Sequence, residues 1–129
     1  MAVTINNMSS YEAVTYAEWL AGRTWYVGLM TTKASDVTNG VEEAAGDYAR
    51  QACTLEVVDA VTLPGKVWNA ATLSFGTPAT DWGTIEGICL FLDLTGGEPC
   101  FFIDLTTPTP CPSGAPVSIP AHTLTELGD

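Results

Sequence analysis

The chain has 129 residues and carries fifteen Asp and Glu against four Lys and Arg, a formal net charge of −11. Four cations make no basic stripe able to neutralise a run of phosphates, and the same sign of charge repels anionic membranes, so neither nucleic acid nor a membrane is an expected partner. No apolar run approaches the ~20 residues of a membrane-spanning helix, and the length predicts one domain with its own core.

Residues 1–8 read as an extended N-terminal arm, with Val3 and Ile5 as candidate interface residues, and residues 9–129 as a single helix-plus-β domain. Ser9 followed by Glu12 forms a capping box that satisfies exposed N–H groups at a helix start. The helix runs over Tyr11–Ala21 and ends at Gly22. It carries Val14, Ala17 and Leu20 on a broad apolar face. Thr24–Thr31 is rich in aromatic and β-branched residues and predicts a strand. Lys33–Gly46 holds Asn39-Gly40 and small acidic residues, and predicts a long surface loop. Tyr48–Val58 alternates as a strand, with Cys53, Leu55 and Val57 on one face.

Pro64-Gly65 predicts a turn and Trp68–Phe75 a further strand, followed by a loop over Gly76–Asp81. Ile85–Leu92 is apolar on both faces, as a covered central strand requires. Gly96-Gly97 suits a hairpin turn, with Phe101–Leu105 returning. Thr106–Pro116 contains four prolines and is excluded from any central strand. Val117–Pro120 and His122–Leu127 close the chain as short strands. The pattern predicts a mainly β fold, an antiparallel β-sandwich or jelly-roll-like domain with one short N-terminal helix.

Chemistry is sparse. The lone histidine, His122, has no visible nucleophile partner and reads as a strand-face or surface residue. The scattered carboxylates follow no calcium-loop order, and no glycine pattern matches a dinucleotide or phosphate loop. No catalytic residue, cofactor or metal is expected. Cys53, Cys89, Cys100 and Cys111 lack CxxC spacing and read as reduced, mostly buried thiols in a protein made in a cytosol. Arg50 is the notable polar residue: a scarce cation in a strand, expected to pair with a carboxylate of Glu42-Glu43 and pin that loop. Tyr48, Arg50, Glu43, Trp82 and Gly83 are therefore assigned as structural pins, with Gly83 letting the backbone pass close to the Trp82 ring. Trp19 and Trp25, if exposed, are candidate interface anchors.

Taken in order, these residues resemble a set of small tailed-bacteriophage virion proteins. The resemblance is carried by Tyr26-Val27-Gly28-Leu29, the acidic pair Glu42-Glu43, Tyr48-Ala49-Arg50, Asn69–Phe75, Trp82-Gly83-Thr84 and Gly96-Gly97, and covers nearly the whole chain. It departs from that pattern in its four cysteines and its proline-rich stretch. Such proteins are described as tail-fibre-like or head-decoration proteins. The resemblance implies a non-enzymatic virion component: first, a capsid decoration (cement) protein, as a homo-oligomer with a trimer favoured, clamping the major capsid protein or other virion proteins. The alternative is a tail-fibre or tail-adaptor protein that binds a receptor or partner.

Overall fold

The computed structural model describes residues 10–35, 37–59, 63–123 and 125–127. The expected arm, with Val3 and Ile5, lies outside the described residues, as does Ser9 of the capping box. The fold is mainly β, with antiparallel sheets and one short helix, as the alternation and the turn residues predict. Two compact units are distinguished. The larger comprises Trp25–Cys53 and Leu73–Ile119; the smaller takes its described residues from the ranges Met1–Thr24, Thr54–Thr72 and Pro120–Asp129.

In the larger unit, strand β1 (Thr24–Thr32) pairs antiparallel with β6 (Thr84–Phe91), which pairs antiparallel with β7 (Phe101–Pro110). The apolar run Ile85–Phe91 is covered as expected: of its residues only Glu86 is not fully buried. β7 is longer than the Phe101–Leu105 segment and continues into the proline-rich stretch. It stands at the end of the sheet, and its register with β6 shifts between the pairs Ile85↔Thr109 and Gly87↔Asp104. Residues 105–108 bulge there, so Pro108 needs no partner for its missing N–H. The predicted 33–46 loop contains a two-residue strand, β2 (Val41–Glu42), paired with β1 through Met30↔Glu42. β5 (Leu73–Gly76) and β8 (Val117–Ile119) form a separate two-stranded ribbon. Gly96 and Gly97 both take positive φ, within a connection longer than a two-residue turn.

In the smaller unit, helix α1 (Ser10–Ala21) lies against β4 (Leu63–Asn69), with Ala17 and Leu20 buried. Gly22 follows its last residue, and the Gly22 N–H closes the final turn on the Glu18 carbonyl. β4 pairs antiparallel with the Thr54–Asp59 part of β3 (Gln51–Asp59) and with β9 (Thr125–Leu127). Two expectations are corrected here. Pro64-Gly65 is not a turn but part of β4, opposite a register shift between Val57 and Asp59 that accommodates the proline. The predicted Trp68–Phe75 strand is two strands, because the chain turns at Ala70–Thr72.

All four cysteines are free; Cys53, Cys89 and Cys111 are buried and Cys100 is exposed. Burial pushes the Cys53 and Cys89 thiols up to about 11 and raises Cys111 as well. A thiolate is the reactive form, so at pH 8 a disulfide-exchange reagent is expected to label Cys100 alone in the native protein and all four thiols in denaturant. Rapid labelling of more than one native thiol contradicts the buried placement.

Candidate functional site

Of the residues singled out by sequence, the Glu42-Glu43 pair, Tyr48 and Trp82 gather in the larger unit around Arg50. Its side chain is only 6% exposed and forms a bidentate pair with Glu42: Nε to Oε2 at 3.0 Å and Nη2 to Oε1 at 2.9 Å. The remaining guanidinium nitrogen, Nη1, donates to the carbonyl oxygens of Asp93 and Gly96, each at 2.7 Å. The guanidinium plane sits 3.4 Å from the centroid of the buried Phe91 ring, a cation–π contact. One buried cation thus ties β2 to the loop that follows β6.

Strand pairing explains why the sequence folds this way. Pairing of Met30 with Glu42 aims the carboxylate across β1 at Gly28. A Cβ at Gly28 would lie 2.7 Å from Glu42 Oε2 and 2.8 Å from the Phe91 ring, so only glycine leaves room for both. Tyr48 completes the cluster. Its hydroxyl donates to Glu42 Oε2 at 2.7 Å and accepts the Leu29 N–H at 2.8 Å. Desolvation, and then the bond to Glu42, raise the Tyr48 phenol far above its ordinary range, which keeps it a neutral donor.

Trp82 is the second pin. Its ring is buried, meets Tyr48 edge to face at 5.5 Å, and its Nε1–H donates to Asp47 Oδ1 at 3.0 Å. Asp47 Oδ2 also accepts the Ala79 N–H at 2.7 Å. Gly83 is needed for a reason other than the close approach expected: no atom crowds its Cβ direction, but its φ is +77°. That conformation presents the Gly83 carbonyl to the Cys111 N–H at 2.8 Å, while Trp82 N–H meets the Cys111 carbonyl at 3.0 Å.

The hydrogen bonds from Ala79 and then from Trp82 hold the Asp47 carboxyl below its ordinary 3.8. A folded-state value below the unfolded one gives stability that is complete above that ordinary value and is lost as pH falls through the folded one. The stability gap between the parent protein and Asp47→Asn is therefore expected to be constant at neutral pH and to close below pH 3.8, measured as denaturant midpoints. A gap independent of pH contradicts the pairing.

Two placements differ from expectation, those of Glu43 and Trp25. Glu43 is not the Arg50 partner; Glu42 is, because β2 pairing turns Glu42 inward. Glu43 Oε1 instead accepts the N–H groups of Ala44 and Ala45, each at 3.0 Å, and so shapes its own turn. Trp25 is no exposed anchor: it is fully buried, edge to face with Phe101 at 5.4 Å. Trp19 is 45% exposed, with the Arg23 guanidinium 4.2 Å above its ring.

Sequence reasoning missed Asn69 and its surroundings, which organise the smaller unit. Asn69 is fully buried. Its Nδ2 donates to the Ala71 and Pro120 carbonyls, and its Oδ1 accepts the Thr123 N–H, all at 2.9 Å. His122 is thereby held in a turn at φ +65°, not in a strand, and stacks on Trp68 at 4.4 Å. Glu56 Oε1 accepts from both, at 2.7 Å from Trp68 Nε1 and 3.0 Å from His122 Nε2. The available signal was an Asn, poorly suited to strands, ending an apolar run just before two alanines.

Chemically, both clusters are closed. Among the described residues no buried side-chain nitrogen or oxygen lacks a partner, and no group of three or more His, Cys, Asp or Glu is placed to hold a metal ion. A shallow depression of about 290 Å³ beside Arg50 is lined by Tyr48, Leu94 and Gly96, with the Glu42-Glu43 pair at its edge. The family described as podophage GP4 fiber I protein gp80 matches residues 5–126. The chain belongs to this family. It is a phage virion structural protein, part of the particle, as the sequence resemblance implies. No curated protein and no solved structure matches the chain. In this member of the podophage fibre family, the Arg50 cluster ties β2 to the loop after β6, and Asp47 ties the Trp82 ring to the Ala79 N–H.

Proposed function

We propose that the chain is a non-enzymatic structural subunit of the phage fibre, assembled as a homotrimer and held against other virion proteins. The observation that carries this reading is the fibre family match over residues 5–126. The closed polar clusters support it, since a nucleophile or ligand site needs a group left available. Acidity supports it too: a net charge of −11 favours docking on basic protein surfaces over nucleic acid. A head-decoration role is the second reading, favoured by a sequence without the heptad or repeat segments that build long fibres. Immunogold labelling of intact particles separates the two. Gold confined to the fibre region supports the proposal, and gold spread over the head surface overturns it.

A further inference from the structure

The loop between β6 and β7 presents an apolar tip with an acidic collar. Leu92 is 43% exposed and Leu94 54% exposed, two aliphatic side chains in three residues. The loop beneath them is braced. Arg50 holds the Asp93 and Gly96 carbonyls from below, and Glu98 accepts a hydrogen bond from Asn39 Nδ2 on the neighbouring loop. Leu94 also forms one wall of the depression beside Arg50. A loop with its backbone carbonyls pinned by a buried cation loses little freedom when something docks on it, which is how a preorganised contact gains affinity.

Charge selects the partner. Around the tip stand Asp93, Glu98 and Glu43, none of them paired with a cation in a salt bridge among the described residues. Among the described residues no cation is left over to build a matching basic surface. Of the chain's four cations, Arg50 is buried in the clasp, Lys33 pairs with Asp104, and Arg23 covers Trp19. That leaves Lys66, whose side chain lies outside the described residues. A second copy would bring like charge to like charge, which costs encounter rate and affinity. We infer that the braced loop 92–98 is a docking tip for a different virion protein, one offering an apolar pocket for Leu92 and Leu94 ringed by Lys or Arg. The inference rests on the structural reading of the chain but not on its location in the particle.

The test uses virions. A photo-crosslinking residue replaces Leu94 in the phage-encoded protein, and crosslinked peptides are identified from irradiated particles. The expected product joins this chain to a Lys- or Arg-containing segment of a different virion protein. Crosslinks to another copy of this chain, or none from fully incorporated protein, overturn the inference. In parallel, the double variant Leu92→Ser and Leu94→Ser is expected to reduce copies per particle at least about tenfold, with its isolated unfolding midpoint unchanged. Normal incorporation overturns the inference; should the variant unfold early, the crosslink alone decides. A crosslink to a head protein keeps the tip and removes the fibre placement, whereas fibre-localised protein without a crosslink does the reverse.

Discussion

Arg50→Ala is expected to destabilise the protein by about 3–5 kcal/mol, the usual cost of breaking a buried ion pair from one side. The reason is what the guanidinium leaves behind. Glu42 loses both bonds of a bidentate pair while its carboxylate stays largely covered at 23% exposure, and the Asp93 and Gly96 carbonyls lose their shared donor. Phe91 loses the cation over its ring at the same time. For a chain of this length the loss corresponds to a fall in melting temperature of about 10–18 °C. Glu42→Ala should cost nearly as much, because it strands the cation. The double variant should cost less than the sum of the two single ones, since each removes the same pair. Melting curves of the three variants check this, and strict additivity contradicts the clasp.

Asn69→Ala is the second large expectation, at about 3 kcal/mol, since it removes three hydrogen bonds from a fully buried amide. Nδ2 bridges the Ala71 and Pro120 carbonyls and Oδ1 receives the Thr123 N–H, so the loss frees the 120–123 turn from the end of β4. That turn holds His122 in a left-handed conformation that is uncommon for any residue but glycine. Without the anchor it is expected to relax, unstacking His122 from Trp68. Chemical denaturation reads the stability, and hydrogen exchange at the Thr123 amide reads the turn. Unchanged protection at Thr123 contradicts the role assigned to Asn69.

Much of this architecture is legible in the chain itself. Alternation at Cys53, Leu55 and Val57 and the largely apolar run of β6 predict their strands, and Arg50 stands out because so few cations accompany it. What escapes is set by pairing at a distance. Choosing Glu42 over Glu43 needs the two-residue strand β2, whose register with Met30 no local pattern announces. Pro64-Gly65 carries a strong turn signal, yet a bulge opposite Val58 absorbs it within β4. Trp25 and Trp19 look alike as exposed aromatic anchors, and only tertiary packing buries the first. The role of Asn69 escapes for the same reason, because the backbone groups it serves lie as far along the chain as Pro120 and Thr123.

A fibre is built in small symmetric numbers, whereas a head-decorating protein follows the many repeated sites of the capsid lattice. Counting copies of this chain per purified particle, by mass spectrometry against labelled standards, therefore tests the structural-fibre reading most directly. A count in the range of roughly 3–18, in multiples of three, is the predicted result. A count in the hundreds, in step with the major capsid protein, would contradict it.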